Sequence, residues 1–284
     1  MTAAVQPSDP ASIPTSGDVT VVVPVRNAAA ILDECLASVA RQQPAELIVV
    51  DGLSVDGTLE IARRHGARIL SDGGRGLPAA RTIGARAART RYVALVDADV
   101  VLPGGSLAAL LREFLEGGYT ALQAGLESDA GPGYWGQALA RHHRTGRSRY
   151  WFGLVATIFE RDALLEHGFD ASFESGEDIE LRWRLARVGA KAGVSRRVVV
   201  RHRFEDTWEF ARGQFRADGA GLARMIRKHG GSGARLLFLP AAAGARGILL
   251  SLVHLEPRWL PYYVAFMVFN YGAMLGELLA RRGR

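Results

Sequence analysis

The sequence holds a single cysteine, Cys35, so no intrachain disulfide can form and the fold must rest on its apolar core. Its first residues, MTAAVQPSDPASIPTSGD, lack the basic start and continuous apolar run of a secretory signal. Residues 1–17 read as a flexible leader. No glycine stands in PVRNAAA, the turn after the first apolar run. A dinucleotide-binding oxidoreductase needs Gly-x-Gly-x-x-Gly there, so that class is excluded. There is no internal repeat, and no nucleic-acid-binding motif accompanies the net charge of +6. That charge is unevenly placed. Residues 201–284 carry 13 Lys/Arg against 6 Asp/Glu, whereas residues 1–200 carry 22 against 23. Basic character combined with long apolar stretches points to an anionic membrane surface rather than to nucleic acid.

What is present is enough for a substantial core, with 48% hydrophobic and 23% charged residues in 284, the size of one large domain. The first two thirds alternate strand and helix signals. VTVVVPV (19–25) is an apolar β-rich run, and AAAILDECLASVARQ follows with Ile31, Leu32, Cys35, Leu36 and Val39 at helical spacing. ELIVVDG reads as a second strand, DGTLEIARRHG as a helix and ARIL as a third strand. LPAARTIGARAART reads as a helix and YVALVDADV as a fourth strand. This order predicts a parallel sheet with helices on both faces. Later, SLAALLREFLEGG reads as a helix, YTALQAGL as a strand, ESDAGPG as a turn-rich loop and DIELRWRLARVG as a helix with acids in its first turn.

Acids close two of the strands. Asp51 ends the second and Asp97 the fourth, where ligands of parallel α/β sheets bind. If the chain stays extended, Asp97 and Asp99 point to one side and can share a crevice. Such oxygen ligands suit Mg²⁺ or Mn²⁺, whose remaining ligands are waters and substrate phosphates. The same spacing also fits a turn-capping Asp97 beside a solvated Asp99.

VVVPVRNAAAILDECLASVARQ, ELIVVDGLSVDGT, GLPAARTIGARAARTRYVALVDADV and GEDIELRWRL occur in that order, and together they resemble the family 2 glycosyltransferases of the GT-A fold over roughly residues 19–228. The resemblance implies a nucleotide-sugar site at Pro24, Val25, Arg26, Asn27 and Asp51, with ribose and metal–diphosphate contacts at Asp97-Ala98-Asp99. It implies Arg81 reaching the nucleotide, His202 completing the metal shell, and Asp178, with Glu177 beside it, as the base of an inverting transfer. For His202, Arg81 and the Glu177–Asp178 pair, the ordinary alternatives are a structural histidine, a solvated helix arginine and helix N-terminal acids. Gln214 and Arg216 of FARGQFRADGAG resemble the family's interfacial helix, which can touch the diphosphate or the acceptor.

The chain also departs from the family. Asp51-Gly52-Leu53-Ser54 lacks the second acid linked to base recognition, which argues against a uridine donor. Thr82 replaces the usual asparagine. No Gln-x-x-Arg-Trp follows Asp178, which favours transfer of one residue over processive synthesis. The expected organisation is a leader over 1–17, a GT-A domain over 18–228 and an apolar, basic helical segment over 229–284. The run WLPYYVAFMVFNYGAMLG (259–276) has no charge in eighteen residues, and Arg281, Arg282 and Arg284 follow it. It can span, lie in an interface or pack on the domain; Trp259, Tyr262, Tyr263 and Tyr271 suit an interface belt. Membrane contact would make a lipid or lipid-linked sugar the natural acceptor. The basic-aromatic stretch 141–152 then either flanks an anionic acceptor or is a solvated loop. Competing functions are a non-catalytic nucleotide-sugar-binding membrane subunit, a retaining transferase and a sugar nucleotidyltransferase.

Overall fold

The computed structural model describes residues 14–146, 152–173 and 175–280. Most of the leader, residues 147–151 of the basic-aromatic stretch and Arg281, Arg282 and Arg284 lie outside the described residues. The first half follows the expected order: β1 (Val19–Val25), α1 (Ala29–Ala40), β2 (Glu46–Asp51), α2 (Thr58–Arg64), β3 (Arg68–Ser71), α3 (Leu77–Ala87) and β4 (Tyr92–Val96). β5 (Val100–Val101), α4 (Ser106–Glu116), β6 (Ala121–Ala130), α5 (Tyr134–Thr145), β7 (Ala156–Glu160) and α6 (Arg161–His167) come next. Then follow α7 (Glu177–Arg187), β8 (Ala192–Phe204), α8 (Trp208–His229), α9 (Leu239–Val253) and α10 (Leu260–Leu279).

One eight-stranded sheet runs in the order β3-β2-β1-β4-β7-β6-β8-β5. It is parallel as expected from β3 to β4, but β7 pairs antiparallel with both β4 and β6, and β5 antiparallel with β8. The sheet is therefore mixed. β1 is buried along its whole length because both of its faces are covered. Val19, Val21, Val23 and Val25 pack with α1, α2 and α4 on one face, while Val22 joins Ile48, Leu95, α3 and α7 on the other. The segment Glu127–Ala130, expected as loop, is strand, because β8 supplies a parallel partner out to Ala130 opposite Phe204.

Of the last two helices, α10 packs on α8 and α9 packs on α10. Trp259, Tyr262 and Tyr263 are buried among Phe215, Leu139 and Ala138, so the aromatic residues expected to form an interface belt are instead core. Residues 141–145 are likewise no solvated loop, since they complete α5. Arg141 is buried there and donates to Glu256 at 3.0 Å and to the Tyr263 hydroxyl at 3.2 Å. Burial pushes His142 down to about 4 and His143 down to about 3, so both rings are neutral. Among the described residues, the helix long and apolar enough to cross a membrane is Ala234–Val253, a different stretch from 259–276. Only 28% of it is buried.

The closest approach of α8 to α10 needs glycine at 219, because a Cβ there would lie 2.1 Å from the Asn270 carbonyl oxygen. Gly219→Ala must push α10 outward. We expect a loss of about 1–3 kcal/mol in urea unfolding, as for other overpacked contacts, with secondary structure retained by circular dichroism.

Candidate active site

The loops after β1, β2, β3 and β4 meet at the carboxyl edge of the parallel strands, where strand order reverses between β1 and β4. Pro24 and Val25 are buried at the end of β1, while Arg26 and Asn27 face solvent. Asn27, at φ 50, donates its backbone N–H to the Ser54 hydroxyl and accepts from Val55 N–H through its side-chain oxygen. It thereby joins the first two loops. Asp51 is buried, and its carboxylate accepts from the backbone N–H groups of Leu53 and Ser54. Asp72, not singled out in the sequence, organises the third loop in the same way through Gly74 and Gly76.

Asp97-Ala98-Asp99 does not stay extended. β4 stops at Val96, and Val100 N–H donates back to the Asp97 carbonyl, closing a turn. The two carboxylates consequently diverge. Asp97 accepts from Arg81 at 2.9 Å, and Arg81 spends its other terminal nitrogen on Glu177 at 2.6 Å. Only 1% of the arginine is exposed, so the guanidinium expected to reach the nucleotide instead braces two acids 80 residues apart. Burial pushes Asp97 up while Arg81 pulls it back down, and nearby Asp99 raises it again. Thr82, in place of the family's asparagine, bonds the Pro78 carbonyl within α3.

Asp99 turns toward β8, where β5 pairs Val100 with His202. Its Oδ2 lies 3.1 Å from His202 Nε2. Burial by itself would lower His202, but the Asp99 carboxylate more than offsets it and carries the ring above its ordinary value. Asp99 Oδ1 and His202 Nδ1 are both buried with no hydrogen-bond partner, an expensive state for polar atoms unless a ligand takes them. Among the described residues no three metal-type side chains come together, so Asp97, Asp99 and His202 do not form a complete protein cage. An oxygen and an imidazole nitrogen leave positions for phosphate and water, which fits the way Mg²⁺ and Mn²⁺ are held.

Asp178 sits in the first turn of α7. Gly176 before it adopts φ +82, and a Cβ there would come within 3.0 Å of Gly221 Cα, so glycine is needed for both reasons. Burial, reinforced by the charge on Glu177, pushes Asp178 up to about 7 despite the favourable helix terminus. Asp218 on α8 adds to that rise. Asp218 carries no motif of its own in the sequence, although its i, i+4 spacing from Gln214 signals a pair. Gln214 Nε2 donates to it at 2.9 Å. Cys35 belongs to the core, and burial pushes its thiol well up, which leaves it unreactive.

The profile of the family described as "Glycosyl transferase family 2" matches residues 20–170. The chain belongs to this family. The match covers the loops after β1, β2, β3 and β4 and ends before Glu177, Asp178 and His202. An uncharacterized glycosyltransferase of Mycobacterium tuberculosis is 38% identical over 103 residues, covering 36% of this chain and 46% of that protein. The pre-mycofactocin glycosyltransferase of the same organism is 31% identical over 211 residues, 68% of this chain and 44% of that protein. The matched stretch thus spans less than half of either relative. Among solved structures, the mannosyltransferase of Pyrobaculum calidifontis in complex with GDP-Man and Mn²⁺ superposes with a TM-score of 0.66 at 20% identity. That likeness covers 96% of this chain and 92% of the other. Glucosyl-3-phosphoglycerate synthase of Mycobacterium tuberculosis with Mn²⁺ and UDP gives 0.54 at 20% identity, over 74% and 78%. The fold is that of the GT-A glycosyltransferases.

Arg81→Met leaves Asp97 and Glu177 facing each other without their shared cation, which should cost about 3–5 kcal/mol in chemical unfolding at neutral pH. Arg81→Lys keeps the charge but cannot reproduce the two-sided fork, so it should recover only part of the loss.

Proposed function

We propose that the chain transfers one sugar from a nucleotide-diphosphate donor to an acceptor hydroxyl by inverting displacement. The observation that carries this reading is the pair of buried, unpartnered atoms on Asp99 and His202 at the mouth of the strand edge. With Asp97 tied to Arg81, Asp99 and His202 are the residues that would hold Mn²⁺ or Mg²⁺. Bound there, the cation would act as a Lewis acid on the leaving diphosphate. The Arg26–Asn27 loop and the Asp51 turn would line the nucleotide. Asp178 takes the proton of the acceptor hydroxyl as the new C–O bond forms at the anomeric carbon. The bond to the diphosphate oxygen breaks with its electron pair leaving on the nucleotide. A carboxylate near pH 7 in affinity for protons suits that role, being both ionised and basic in neutral solution. Glu177, held by Arg81, fixes the start of α7 so that Asp178 faces the sugar.

The acceptor side lies toward α8–α10, residues 229–284 forming the membrane-facing segment of this reading. Leu249, Leu252, Val253 and Leu255 expose 53–87% of their surface beside Arg246 and Arg258, an apolar and basic face suited to an anionic bilayer. That face supports the reading of a lipid or lipid-linked acceptor at the cytoplasmic side of a membrane.

Calorimetric titration with UDP, GDP, TDP and CDP, with and without Mn²⁺, tests the donor site. One nucleotide should bind only with metal, and Asp99→Ala should abolish that dependence; a folded chain that binds none of them refutes the reading. Asp178→Asn should lower kcat by about 10²–10⁴ while leaving nucleotide binding intact. For the parent, kcat/KM should rise with pH and level off above about 7. Because the folded carboxyl holds its proton up to about 7, against an ordinary value of 3.8, Asp178 makes folding less favourable as pH climbs through that window. Asp178→Asn should therefore be the more stable protein at pH 8, with the difference vanishing below pH 4. Flotation with phosphatidylglycerol vesicles tests the surface: Leu252→Asp with Val253→Asp should reduce the bound fraction, and parent protein that ignores such vesicles would remove the membrane reading.

A further inference from the structure

A cavity of about 730 Å³ lies between α8 and α10, away from the Asp97–Asp99 turn. Its volume falls within the range of sites that hold small molecules, roughly 300–1,000 Å³. Both walls carry small residues that leave it open: Ala217 and Ala220 on α8, Gly272, Ala273 and Gly276 on α10. A Cβ added at Gly272 or Gly276 would meet nothing within 4 Å, so these glycines leave open space instead of serving a backbone contact. Glycine inside a helix costs about 0.5–1 kcal/mol relative to alanine, and here no packing requirement offsets it.

The charges of the groove are distributed unequally. At its far end Glu277 is met by Arg227 at 2.6 Å and by Arg224 at 3.6 Å, and Arg224 also donates to Ser175 at 3.1 Å. Each of those charges has a partner. Arg216 lines the other end, about 12 Å away along α8 at the helical rise per residue. Among the described residues it makes no ion pair and no hydrogen bond. Its planar fork suits a phosphate oxygen pair. Next to the groove, Val264, Val268, Leu275 and Leu279 form an exposed ridge on one side of α10, each 52–60% exposed. Val268 belongs to both the ridge and the groove wall.

We propose that this groove binds one chain of a phosphate-headed lipid, with the phosphate on Arg216 and the hydrocarbon along Val268, Gly272 and Gly276. The unpaired guanidinium supplies the charge complement, the unfilled glycine wall supplies the space, and the ridge brings the groove mouth to the bilayer. The inference rests on the membrane-surface reading above, and it names the lipid class that the surface selects. The site is separate from the donor-side machinery, so its occupancy anchors and orients the chain instead of contributing to bond making.

The test uses the full chain and decyl phosphate below its micelle concentration, followed by calorimetry, with inorganic phosphate and decyl maltoside as comparison probes. One decyl phosphate should bind per chain, about tenfold or more tighter than either comparison probe, since each lacks one of the two contacts. Gly272→Leu should weaken it about tenfold with melting and nucleotide titration unchanged, and Arg216→Gln should weaken it about tenfold with melting unchanged; Gly276→Leu replaces Gly272→Leu if that variant melts early. Equal binding of inorganic phosphate would mean a free-anion site and overturn the proposal, as would decyl phosphate binding indifferent to the variants or absent altogether. Vesicle flotation separates the two readings. A chain that floats with phosphatidylglycerol vesicles but whose groove variants bind decyl phosphate like the parent loses the groove and keeps the surface. A chain whose groove captures decyl phosphate yet ignores vesicles keeps the groove and loses the surface.

Discussion

One guanidinium holds the candidate site together. Arg81 leaves α3 on the face that covers the parallel strands and ends between the turn after β4 and the start of α7, with a carboxylate on either side. Two buried acids without it would repel each other and resist desolvation together. With it, the turn after β4 and the start of the helix carrying Asp178 are tied together by two ion pairs. The orientation of Asp99 follows from this, because Asp97 is occupied and the turn it closes aims the second acid at β8. So does the environment of Asp178, which lies beside Glu177 in its bound state and takes up that neighbour's charge.

The second constraint is backbone proximity. Gly176 meets Gly221, and Gly219 meets the Asn270 carbonyl, so α7, α8 and α10 touch through main chain with little between them. Aromatic residues then fill the remaining volume, with Phe215 edge-on to Tyr262 and Tyr134 stacked on Trp259. Arg141 and Tyr263 tie α5 into the same cluster. The C-terminal helices are therefore built on the catalytic half by contacts of core quality, while their outward sides stay apolar and open.

Much of the first half was legible because its signals are local. The apolar, β-rich run VTVVVPV, helical spacing at Leu32, Cys35 and Leu36, and turn residues after each strand require no partner to be read. The mixed half of the sheet was not, because the strand character of Glu127–Ala130 comes from pairing with β8, far along the chain. The destination of Arg81 was hidden for a similar reason: sequence places an arginine on a helix, but only the tertiary arrangement brings Asp97 and Glu177 to its two ends. The turn at Asp97–Asp99 defeated a period-two argument through one hydrogen bond from Val100. An uncharged aromatic run at 259–276 looks the same in sequence whether it faces lipid or Phe215.

The glycine contacts at 176 and 221 bear on how such a chain can diversify. Since main-chain atoms set the placement of α7 against α8, the side chains on the neighbouring turns of α8, among them Gln214, Arg216 and Asp218, are not needed to hold the backbone of Asp178 in position. Those positions can therefore change what borders the start of α7 without moving the helix itself.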